Sequence, residues 1–499
     1  MANKFDVVII GSGLSGLICS NILSKKGYNV AVVEKQKIPG GCLQTFKHNG
    51  ITFDTGIHYI GSFDEGQKLY KFYKYLGVLP GVKLKKLDVN GFDRFKIGED
   101  NFAYANGYEN FTETLCEKFP QERDAITNFA HRIKKISDSV ALYNFERNDM
   151  IEKSFFEKIY HGNTNVFIQS LTKNIKLQNV LAALNILYAG KQNSSFLFIH
   201  SLIYNHYIES AYRIVGGSHQ FADKLIKNLE SNGGKLFTNE DALKFNFNNN
   251  TIKSLNTSSG NCFYANHFIS SIHPQNTMRM LEPGKVRKSY YKRISGIKNT
   301  TSSFAVYLVL KENTVPYINY NQYVFPSGDV WLDTFYSSSN WPGGFAMYPV
   351  TDSMDQKFLK GMMILTMMDF KEFEKWKDTK VGRRGKEYNE FKEAKAGMLI
   401  NSVSKHYPDI AKNIKSFNIS TPLTYRDYTG TPEGSIYGIE RDFDKPLESF
   451  IFPKTRIPNL LLTGQSTGLH GMLGVSIGSL LTCAELTDLN QILVEINNE

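Results

Sequence analysis

The sequence contains few cysteines, and they are widely spaced. The 499 residues include five, at Cys19, Cys42, Cys116, Cys262 and Cys483, and no two of them form a Cys-x-x-Cys pair. This pattern argues against a disulfide framework and against a structural zinc site, and it is typical of a reducing compartment. The histidines show no spacing typical of metal ligands either, so we predict that the protein has no metal site.

Long apolar runs are also missing. No stretch of about 18 uninterrupted apolar residues occurs, which argues against a membrane-spanning helix. The N-terminal segment MANKFDVVIIGSG leads into an apolar strand without the basic and apolar regions of a signal peptide. We therefore expect a cytoplasmic protein that would touch a membrane only from outside.

Acidic residues are fewer than basic ones, so the chain carries a net charge of +10 and has a pI of about 9.0. The lysines and arginines are spread without a dense block, which argues against nucleic-acid binding. The excess of positive charge either keeps the protein soluble or attracts it to an anionic surface, and both interpretations stay open. The anionic partner that the sequence favours is an acidic membrane, with the protein peripheral on its inner face.

Residues 5–34 carry the pattern of a dinucleotide-binding unit. An apolar run, FDVVII, leads into GSGLSG, a helix-periodic segment follows, and a second apolar strand ends in Glu34. Glycines in this loop permit a tight turn, close approach of a pyrophosphate to a helix N-terminus, and close packing of helix on sheet. Glu34 is placed to accept hydrogen bonds from ribose hydroxyls, which disfavours a 2′-phosphate there. The contacts predicted in the loop are Gly11, Gly13, Leu14, Ser15 and Gly16.

A second glycine-rich segment, PGGCLQTFKHNGITFDTGIHYIG, occupies residues 39–61. Residues without a Cβ at this point would let the chain run against the far half of a long cofactor, which favours FAD over NAD. Residues 45–46 and 51–53 flank Asn49-Gly50, so we predict a hairpin around that turn.

This arrangement resembles the FAD-dependent amine oxidase and carotenoid desaturase superfamily. Within it, GGCLQTF…FDTGIHYIG is most similar to the retinol saturase and carotenoid isomerase branch, whose members act on polyene isoprenoids. The resemblance implies that the Gly-Gly pair lies along FAD and that Asp54-Thr55-Gly56 passes near the flavin. The contacts implied in this segment are Lys35, Gly40, Gly41, Thr55, Gly56, Ile57 and His58.

Three later segments match the same superfamily. Residues 212–237 combine a glycine pair, an amphipathic helix and a strand, and a short apolar strand ends at His273-Pro274. Residues 459–465 form an apolar strand and a turn, and a helix is predicted from Met472 to the chain end. N–H groups at that helix start would stabilise negative charge on a reduced flavin. Gln465 stands where many relatives carry an acid. The contacts implied here are Gly464, Gln465, Met472, Leu473 and Gly474.

These segments predict an α/β fold with two domains. One is a discontinuous Rossmann-like FAD-binding domain, and the other is an α+β substrate domain with a mixed or antiparallel sheet. The FAD-binding domain takes residues 1–80, 212–274 and 421–499, and the substrate domain takes 81–211 and 275–420. Strands are predicted at 304–310 and 361–368. The apolar segment 196–208 suits a core helix or a lipid-facing one.

The resemblance implies an FAD-dependent oxidoreductase acting on C=C or C–C bonds of a long-chain polyene or isoprenoid lipid. The alternatives are a redox-neutral carotenoid cis–trans isomerase, an amine oxidase-like enzyme, and a lipid carrier that keeps FAD without turnover. NAD(P)H is a candidate reductant, although the sequence has no second complete dinucleotide pattern. The candidates for moving a proton, in order of preference, are His58, Tyr59 and His470, with Glu433 or Tyr437 from the segment 421–438.

Overall fold

The computed structural model describes residues 3–146 and 162–499. The strands are β1 (Asn3–Ile10), β2 (Val30–Val33), β3 (Thr45–His48), β4 (Ile51–Asp54), β5 (Ile60–Gly61), β6 (Leu84–Lys86), β7 (Asp93–Ile97), β8 (Asp100–Tyr104), β9 (Ala211–Ile214), β10 (Lys235–Phe237), β11 (Ala242–Asn248), β12 (Thr251–Thr257), β13 (Cys262–Ser270), β14 (Ser302–Leu310), β15 (Asn321–Phe325), β16 (Phe345–Pro349), β17 (Gly361–Met368), β18 (Ile414–Ser420) and β19 (Leu460–Leu462).

The α-helices of the described residues are numbered in the same way. They are α1 (Leu14–Lys25), α2 (Lys68–Tyr75), α3 (Tyr108–Lys118), α4 (Arg123–Asp138), α5 (Thr164–Leu171), α6 (Ile175–Ala182), α7 (Leu197–Glu209), α8 (His219–Ser231), α9 (Pro274–Arg279), α10 (Lys288–Ser295), α11 (Leu332–Phe335), α12 (Lys386–His406), α13 (Pro408–Lys412), α14 (Pro422–Thr429), α15 (Pro446–Ser449), α16 (Gly471–Cys483) and α17 (Leu489–Asn497).

The first large sheet contains a parallel core in the order β10-β2-β1-β13-β19. Residues 7–10, 30–33, 268–270 and 460–462 of these strands are buried, which matches the near-continuous apolar runs of a parallel sheet covered on both faces. The first half of β13 pairs antiparallel with β12, which pairs in turn with β11. Helix α1 packs against α8 and α16, so segments far apart in sequence meet beside β1.

The second large sheet runs in the order β18-β14-β17-β16-β15-β7-β8. It is antiparallel except for the parallel pair of β15 with β7. Successive residues of β14 enter two different cores, because side chains alternate between the faces of a strand. Tyr307 packs in the core formed with α3, α4, α6 and α7, whereas Phe304 and Val306 pack in the core formed with α12. The predicted α/β fold with a mixed second sheet is therefore confirmed.

Most of the local predictions agree with the structure. Strands β3 and β4 form the hairpin around Asn49-Gly50, with Thr45 opposite Asp54. The two predicted strands of the second sheet are β14 and β17, and they pair with each other. The apolar segment 196–208 consists of the N-cap residue Phe196 and most of α7, which is almost entirely buried, so its apolar character belongs to the core.

The prediction of one C-terminal helix from Met472 to the chain end is wrong. Helix α16 ends at Cys483, and α17 is a separate helix. Asp488 starts the second helix, because its carboxylate accepts hydrogen bonds from the backbone N–H groups of Asn490 (2.8 Å) and Gln491 (3.3 Å). An acidic side chain in that position is a strong helix start signal.

The division into two domains stays a prediction. Every strand of the two large sheets lies on the expected side of the proposed boundaries, but the small sheet β5-β9-β6 brings together 60–61, 84–86 and 211–214. Among the described helices, none is both long and apolar enough to cross a membrane.

Gly16 in α1 gives a test of how closely this helix sits on the sheet. A Cβ at Gly16 would overlap the carbonyl oxygen of Gly11, and that oxygen belongs to backbone. We expect Gly16→Ala to lower the free energy of unfolding by about 1–3 kcal/mol. Gly397→Ala is the matched control, because no described atom lies within 4 Å of its Cβ in α12.

The control should raise stability by about 1 kcal/mol, since alanine is the better helix former. Urea unfolding monitored by circular dichroism gives both values. A Gly16→Ala protein as stable as the control would contradict the close packing of α1 on the first loop.

Candidate functional site

A large cavity of about 1510 Å³ lies where the carboxyl ends of β1, β2, β13 and β19 meet. This is the edge at which open parallel sheets bind their ligands. Pockets for one small ligand usually have volumes of about 300–1,000 Å³. The cavity is therefore large enough for a long cofactor together with a second molecule.

The first glycine loop forms one wall of this cavity. Gly11 has a φ of +94°, and a Cβ there would lie 2.8 Å from Ser271 Oγ. Gly13 opens α1, and no described side chain caps that helix. No described atom lies within 4 Å of the Cβ position of Gly13, so the loop leaves open space beside the free N–H groups of the helix. That combination suits a phosphate group.

Glu34 lies at the end of β2, and its side chain is buried. Its Oε2 accepts hydrogen bonds from Ser12 N (2.8 Å) and Ser12 Oγ (2.7 Å), and its Oε1 accepts one from Gln36 N (2.8 Å). The carboxylate still lines the cavity, where it can accept hydrogen bonds from hydroxyl groups of a ligand. Ser12 Oγ also accepts a hydrogen bond from Gly40 N (3.1 Å), which connects the first loop to the second.

The second loop packs directly on the first. A Cβ at Gly41 would lie 3.0 Å from Gly13 Cα, so only glycine allows this approach. Further along, Thr55 Oγ1 donates a hydrogen bond to Gln44 O (2.8 Å). This bond holds the segment 55–58 beside the cavity, which all four of its residues line.

Helix α16 closes the cavity from a third direction. Gly464 has a φ of +109° in the turn after β19. His470 is the N-cap residue of α16, and within the described chain no side chain caps this helix. The first turns of α1 and α16 therefore line the same cavity, and both contribute the positive end of a helix dipole.

Nearly all the residues predicted to bind the cofactor line this one cavity. They are Gly11, Gly13, Leu14, Ser15, Glu34, Lys35, Gly41, Thr55, Gly56, Ile57, His58, Gly464, Gln465, Met472, Leu473 and Gly474. Two predicted contacts do not line it and need correction. Gly16 is buried between α1 and the first loop, and Gly40 is buried against Ala222 beneath that loop.

His58 lines the cavity, and its ring stacks on Tyr348 at 4.6 Å with an interplanar angle of 24°. Burial, followed by the positive charge of Arg213, lowers the pKa of His58 to about 4. The ring is therefore neutral at physiological pH. Neutral imidazole has one donor and one acceptor nitrogen, so it can give or take a proton.

Tyr59 also lines the cavity, but its hydroxyl is already engaged. It donates a hydrogen bond to Asp93 Oδ2 (2.9 Å) and lies 3.0 Å from the hydroxyl of Tyr323. Burial, followed by the charge of Asp93, raises the pKa of Tyr59 well above its ordinary value. Tyr59 is therefore a neutral donor group at physiological pH.

His470 and Tyr437 form a second candidate pair on the cavity wall, with ring centroids 4.8 Å apart. His470 Nε2 lies 2.9 Å from the carbonyl oxygen of Leu187, which assigns the ring proton to that nitrogen. Burial lowers the pKa of His470 to about 4, so this ring is neutral as well.

The structure does not bring Glu433 to the cavity. Glu433 is exposed in the turn Pro432–Gly434, and it does not belong to the cavity lining. Ser302 Oγ donates a hydrogen bond to Gly434 O (2.7 Å), which fixes the inner side of this turn against β14. The Glu433 side chain is therefore left on the outer side, and we correct its assignment as a proton donor.

Sequence reasoning missed the wall opposite the glycine loops. It is formed by aromatic and apolar residues of α7, β14, β16 and β17, among them Tyr207, Tyr307, Tyr348 and Leu365. No local motif marks these residues, because each is an ordinary apolar or aromatic position of a strand or helix. Among the described residues, no cluster of three or more His, Cys, Asp or Glu side chains is placed to hold a metal ion.

Comparison with known proteins identifies the fold and the relatives. Residues 9–76 match the model of the NAD(P)-binding Rossmann-like domain. The chain is 28% identical to an all-trans-retinol 13,14-reductase of Danio rerio, over 96% of this chain and 85% of that protein. It is 23% identical to a chloroplastic prolycopene isomerase of Daucus carota, over 93% and 77%. A putrescine oxidase variant superposes with a TM-score of 0.66 at 13% identity, covering 98% of this chain and 100% of that one.

The chain resembles the retinol reductases and carotenoid isomerases, which supports a place among the carotenoid and retinol saturase flavoproteins. The match to relatives extends over almost the whole chain, beyond the dinucleotide-binding segment. It is therefore an oxidoreductase related to these proteins, and the amine oxidase likeness shows the shared fold.

The cavity of this oxidoreductase fits a flavin cofactor. The open space at Gly13 beside the N-terminus of α1 suits the pyrophosphate, and Glu34 offers acceptors for ribose hydroxyls. The N-terminus of α16 suits the part of a flavin ring that gains negative charge on reduction. Gln465 also lines the cavity and can donate or accept a hydrogen bond there.

The buried histidines of this flavoprotein give a prediction about acid stability. Burial lowers their pKa to about 4 (His58, His273 and His470) or about 3 (His200 and His206). Below about pH 6.5 the unfolded chain binds these protons first, so stability falls as the pH falls. Burial raises the pKa of Asp54 and Asp93 to about 6 and about 7, which offsets part of this loss.

We expect the urea midpoint to fall steadily between pH 6.5 and pH 4, as the net proton uptake on unfolding grows. Tryptophan fluorescence at a series of pH values measures it. A midpoint that stays constant, or rises, over this range would show that the histidines are not buried in their neutral form.

Proposed function

We propose that this protein is an FAD-dependent oxidoreductase that acts on a C=C bond of a long-chain polyene lipid, in the manner of a retinol saturase. The single observation that carries this proposal is that one cavity is lined both by the glycine loops suited to a dinucleotide and by an apolar, aromatic region. The apolar residues of this region of the cavity are Leu187, Ile199, Leu202, Ile203, Leu365, Ile436 and Leu469.

This apolar region of the cavity suits a substrate that is apolar, long and unsaturated. A chain of conjugated double bonds is flat, and stacked aromatic rings such as those of His58 and Tyr348 offer flat faces beside it. Enclosure of the substrate would also keep water away from the reacting carbons. The relatives named for retinol and prolycopene support this substrate class.

Bound FAD supplies two-electron chemistry at the flavin ring, and the protein supplies position and protons. We assign the cofactor contacts to the cavity-lining residues of the two glycine loops and of α16. His58, Tyr59 and His470 are the candidates for proton transfer, because all three line the cavity and are neutral near pH 7. We also retain the division into a discontinuous FAD-binding domain and a substrate domain as part of this proposal.

A redox-neutral isomerase is the second candidate function. The specific observation in its favour is the match to a prolycopene isomerase over 93% of the chain. The same cavity would serve both reactions, since a bent polyene and a straight one require similar apolar walls. The two functions differ in the mass of the product.

NAD(P)H is our candidate for the reductant. Arg383 and Lys392 line the cavity, and neither forms an ion pair within the described residues, although the Lys392 ammonium lies 5.4 Å from the centre of the Tyr388 ring. Unpaired cations of this kind attract an anionic donor. Anaerobic mixing with NADH or NADPH tests this assignment, because a true donor bleaches the flavin absorption band and an ineffective one leaves it unchanged.

Contact with an anionic membrane is our proposal for how a lipid substrate reaches the protein. The net charge of +10 supports it. We place this contact on the inner face of a membrane. Sedimentation with vesicles containing phosphatidylserine should carry the protein down, and equal recovery with neutral vesicles in high salt would contradict an electrostatic contact.

The proposed reaction predicts a defined product. The flavin-loaded protein, reduced with dithionite under anaerobic conditions, should convert all-trans-retinol into a product heavier by two hydrogen atoms. Mass spectrometry of the extracted lipid measures the change. A product of unchanged mass but altered retention time, formed from prolycopene, would favour the isomerase, and no change in either lipid would contradict both functions.

His58 provides a test of the proton-transfer assignment. Loss of a general acid or base typically slows a reaction by about 100-fold or more, so we expect a drop of about 100-fold in kcat for His58→Asn. The flavin content should stay normal, because the substitution keeps a polar side chain of smaller volume. His131→Asn is the control, since His131 is exposed on α4. Equal kcat values for the two variants would remove His58 from the mechanism.

A further inference from the structure

Asp93 is a fully buried acid that the proposed mechanism does not use. It is the first residue of β7, in the second sheet, and its exposed fraction is 0%. Its Oδ1 accepts a hydrogen bond from Asn321 Nδ2 (2.8 Å), and its Oδ2 accepts one from the Tyr59 hydroxyl (2.9 Å). Buried acids are uncommon and costly, so this one calls for a physical explanation.

A chain of hydroxyl groups connects Asp93 with the cavity wall. The Tyr59 hydroxyl lies 3.0 Å from that of Tyr323, and the Tyr348 hydroxyl donates to Tyr323 at 3.3 Å. Tyr59 and Tyr348 line the cavity, whereas Tyr323 is completely buried behind them. Tyr59 is therefore the residue that both lines the cavity and bonds the acid directly.

No full positive charge touches Asp93 within the described chain. The Arg213 guanidinium is connected to Asp93 only indirectly, through Asn321. Arg213 Nη2 donates a hydrogen bond to Asn321 Oδ1 (2.5 Å). Asn321 thus separates the guanidinium from the carboxyl group. Burial raises the pKa of Asp93 to about 7, although the hydrogen bonds from Asn321 and Tyr59 and the charge of Arg213 act in the opposite direction. The acid can therefore bind and release a proton near neutral pH.

We propose that Asp93 acts through Tyr59 to supply the proton that the reduction of a polyene C=C bond consumes. Asp93 is a positioning and proton-holding residue in this scheme, and Tyr59 is the group at the cavity. The inference rests on the proposed function, because only a saturation reaction consumes a proton in each turnover.

The C=C π bond breaks and two C–H bonds form, one with a hydride and one with a proton from the Tyr59 hydroxyl. The hydride combines the two electrons of the reductant with one proton from water. A two-electron reductant, dithionite in the test below, is oxidised, and the polyene is reduced. When Asp93 is protonated, its hydrogen bond with Tyr59 runs the other way, with the carboxyl group donating to the Tyr59 oxygen. The Asp93 proton then replaces the one that Tyr59 gives to the polyene, and water returns a proton to Asp93.

The pH dependence of this step must be judged against every ionisable group that faces Asp93. These groups come from the strands and helices packed around it, and they are Tyr59, Tyr104, Tyr207, Arg213, Tyr323 and Tyr348. Burial keeps the tyrosines neutral near pH 7, since it raises each of their pKa values. Asp93 is therefore the member of this group that titrates near neutral pH.

Asp93→Asn tests the inference, because asparagine has nearly the same shape and keeps hydrogen-bonding capacity but holds no exchangeable acid proton. With dithionite-reduced, flavin-loaded protein and all-trans-retinol, we expect kcat to fall about 100-fold in Asp93→Asn and Tyr59→Phe. The KM should change less than about twofold, because neither variant removes apolar contact area. The wild-type kcat should fall as the pH rises through about 7, and Asp93→Asn should lose this dependence.

Tyr204→Phe is the matched control. Tyr204 is a fully buried tyrosine of the same core, its hydroxyl donates to Leu181 O at 2.8 Å, and it does not line the cavity. Removal of the buried Tyr204 hydroxyl should lower the free energy of unfolding. The pH profile of kcat should stay as in the wild type. A wild-type kcat and pH profile in Asp93→Asn would overturn the inference and leave the proposed function intact.

Infrared spectroscopy keeps the two proposals distinguishable. The difference spectrum of the flavin-loaded protein between pH 6 and pH 8.5 should contain the band of a protonated carboxyl group, and Asp93→Asn should lack it. If the wild type converts no polyene, the proposed function fails, and this band still supports proton holding by Asp93. Identical difference spectra for wild type and Asp93→Asn would overturn the inference.

Discussion

Ser12 holds the two glycine-rich loops of the cofactor site together. Its backbone N–H and its hydroxyl both donate to Glu34, and its oxygen accepts the N–H of Gly40. A single buried side chain thus connects the end of β1, the end of β2 and the second loop. The cradle depends on this junction, because Gly41 can approach Gly13 only when the loops are held in this register.

The rest of the site is arranged around that junction. Ser15 Oγ at the start of α1 lies 2.5 Å from Thr463 Oγ1 at the end of β19 and 3.0 Å from Ser479 Oγ of α16. These contacts bring α16 to the first loop across more than 440 residues of chain. Two helix N-termini consequently share one cavity, and the second sheet supplies the aromatic wall opposite them.

Local patterns were sufficient to predict the cofactor half of the site. The glycine spacing, the acid at the end of β2 and the Asn49-Gly50 turn each depend on neighbours within about 30 residues, the length of one βαβ unit. Gly16 and Gly40 were misassigned because a glycine needed for packing and one needed for ligand access look alike in sequence. Glu433 was misassigned because sequence gives no information on which side of a turn faces inward.

The substrate half could not be predicted in the same way. Asp93, Tyr323 and Tyr348 lie on three strands that meet only through the order of the second sheet, and none of them belongs to a motif. Their functional interest arises from burial and from hydroxyl-to-carboxyl distances, which are tertiary properties. Periodicity predicts such residues as ordinary members of a sheet.

We propose that one cavity holds the flavin and the polyene in contact. Anaerobic titration of the flavin-loaded protein with all-trans-retinol, followed in the visible absorption band of the flavin, measures this contact. We expect a saturable shift of that band with one retinol per flavin, because an apolar ligand beside the ring changes its surroundings. Retinol that binds without altering the flavin band, or fails to bind at all, would contradict the shared cavity.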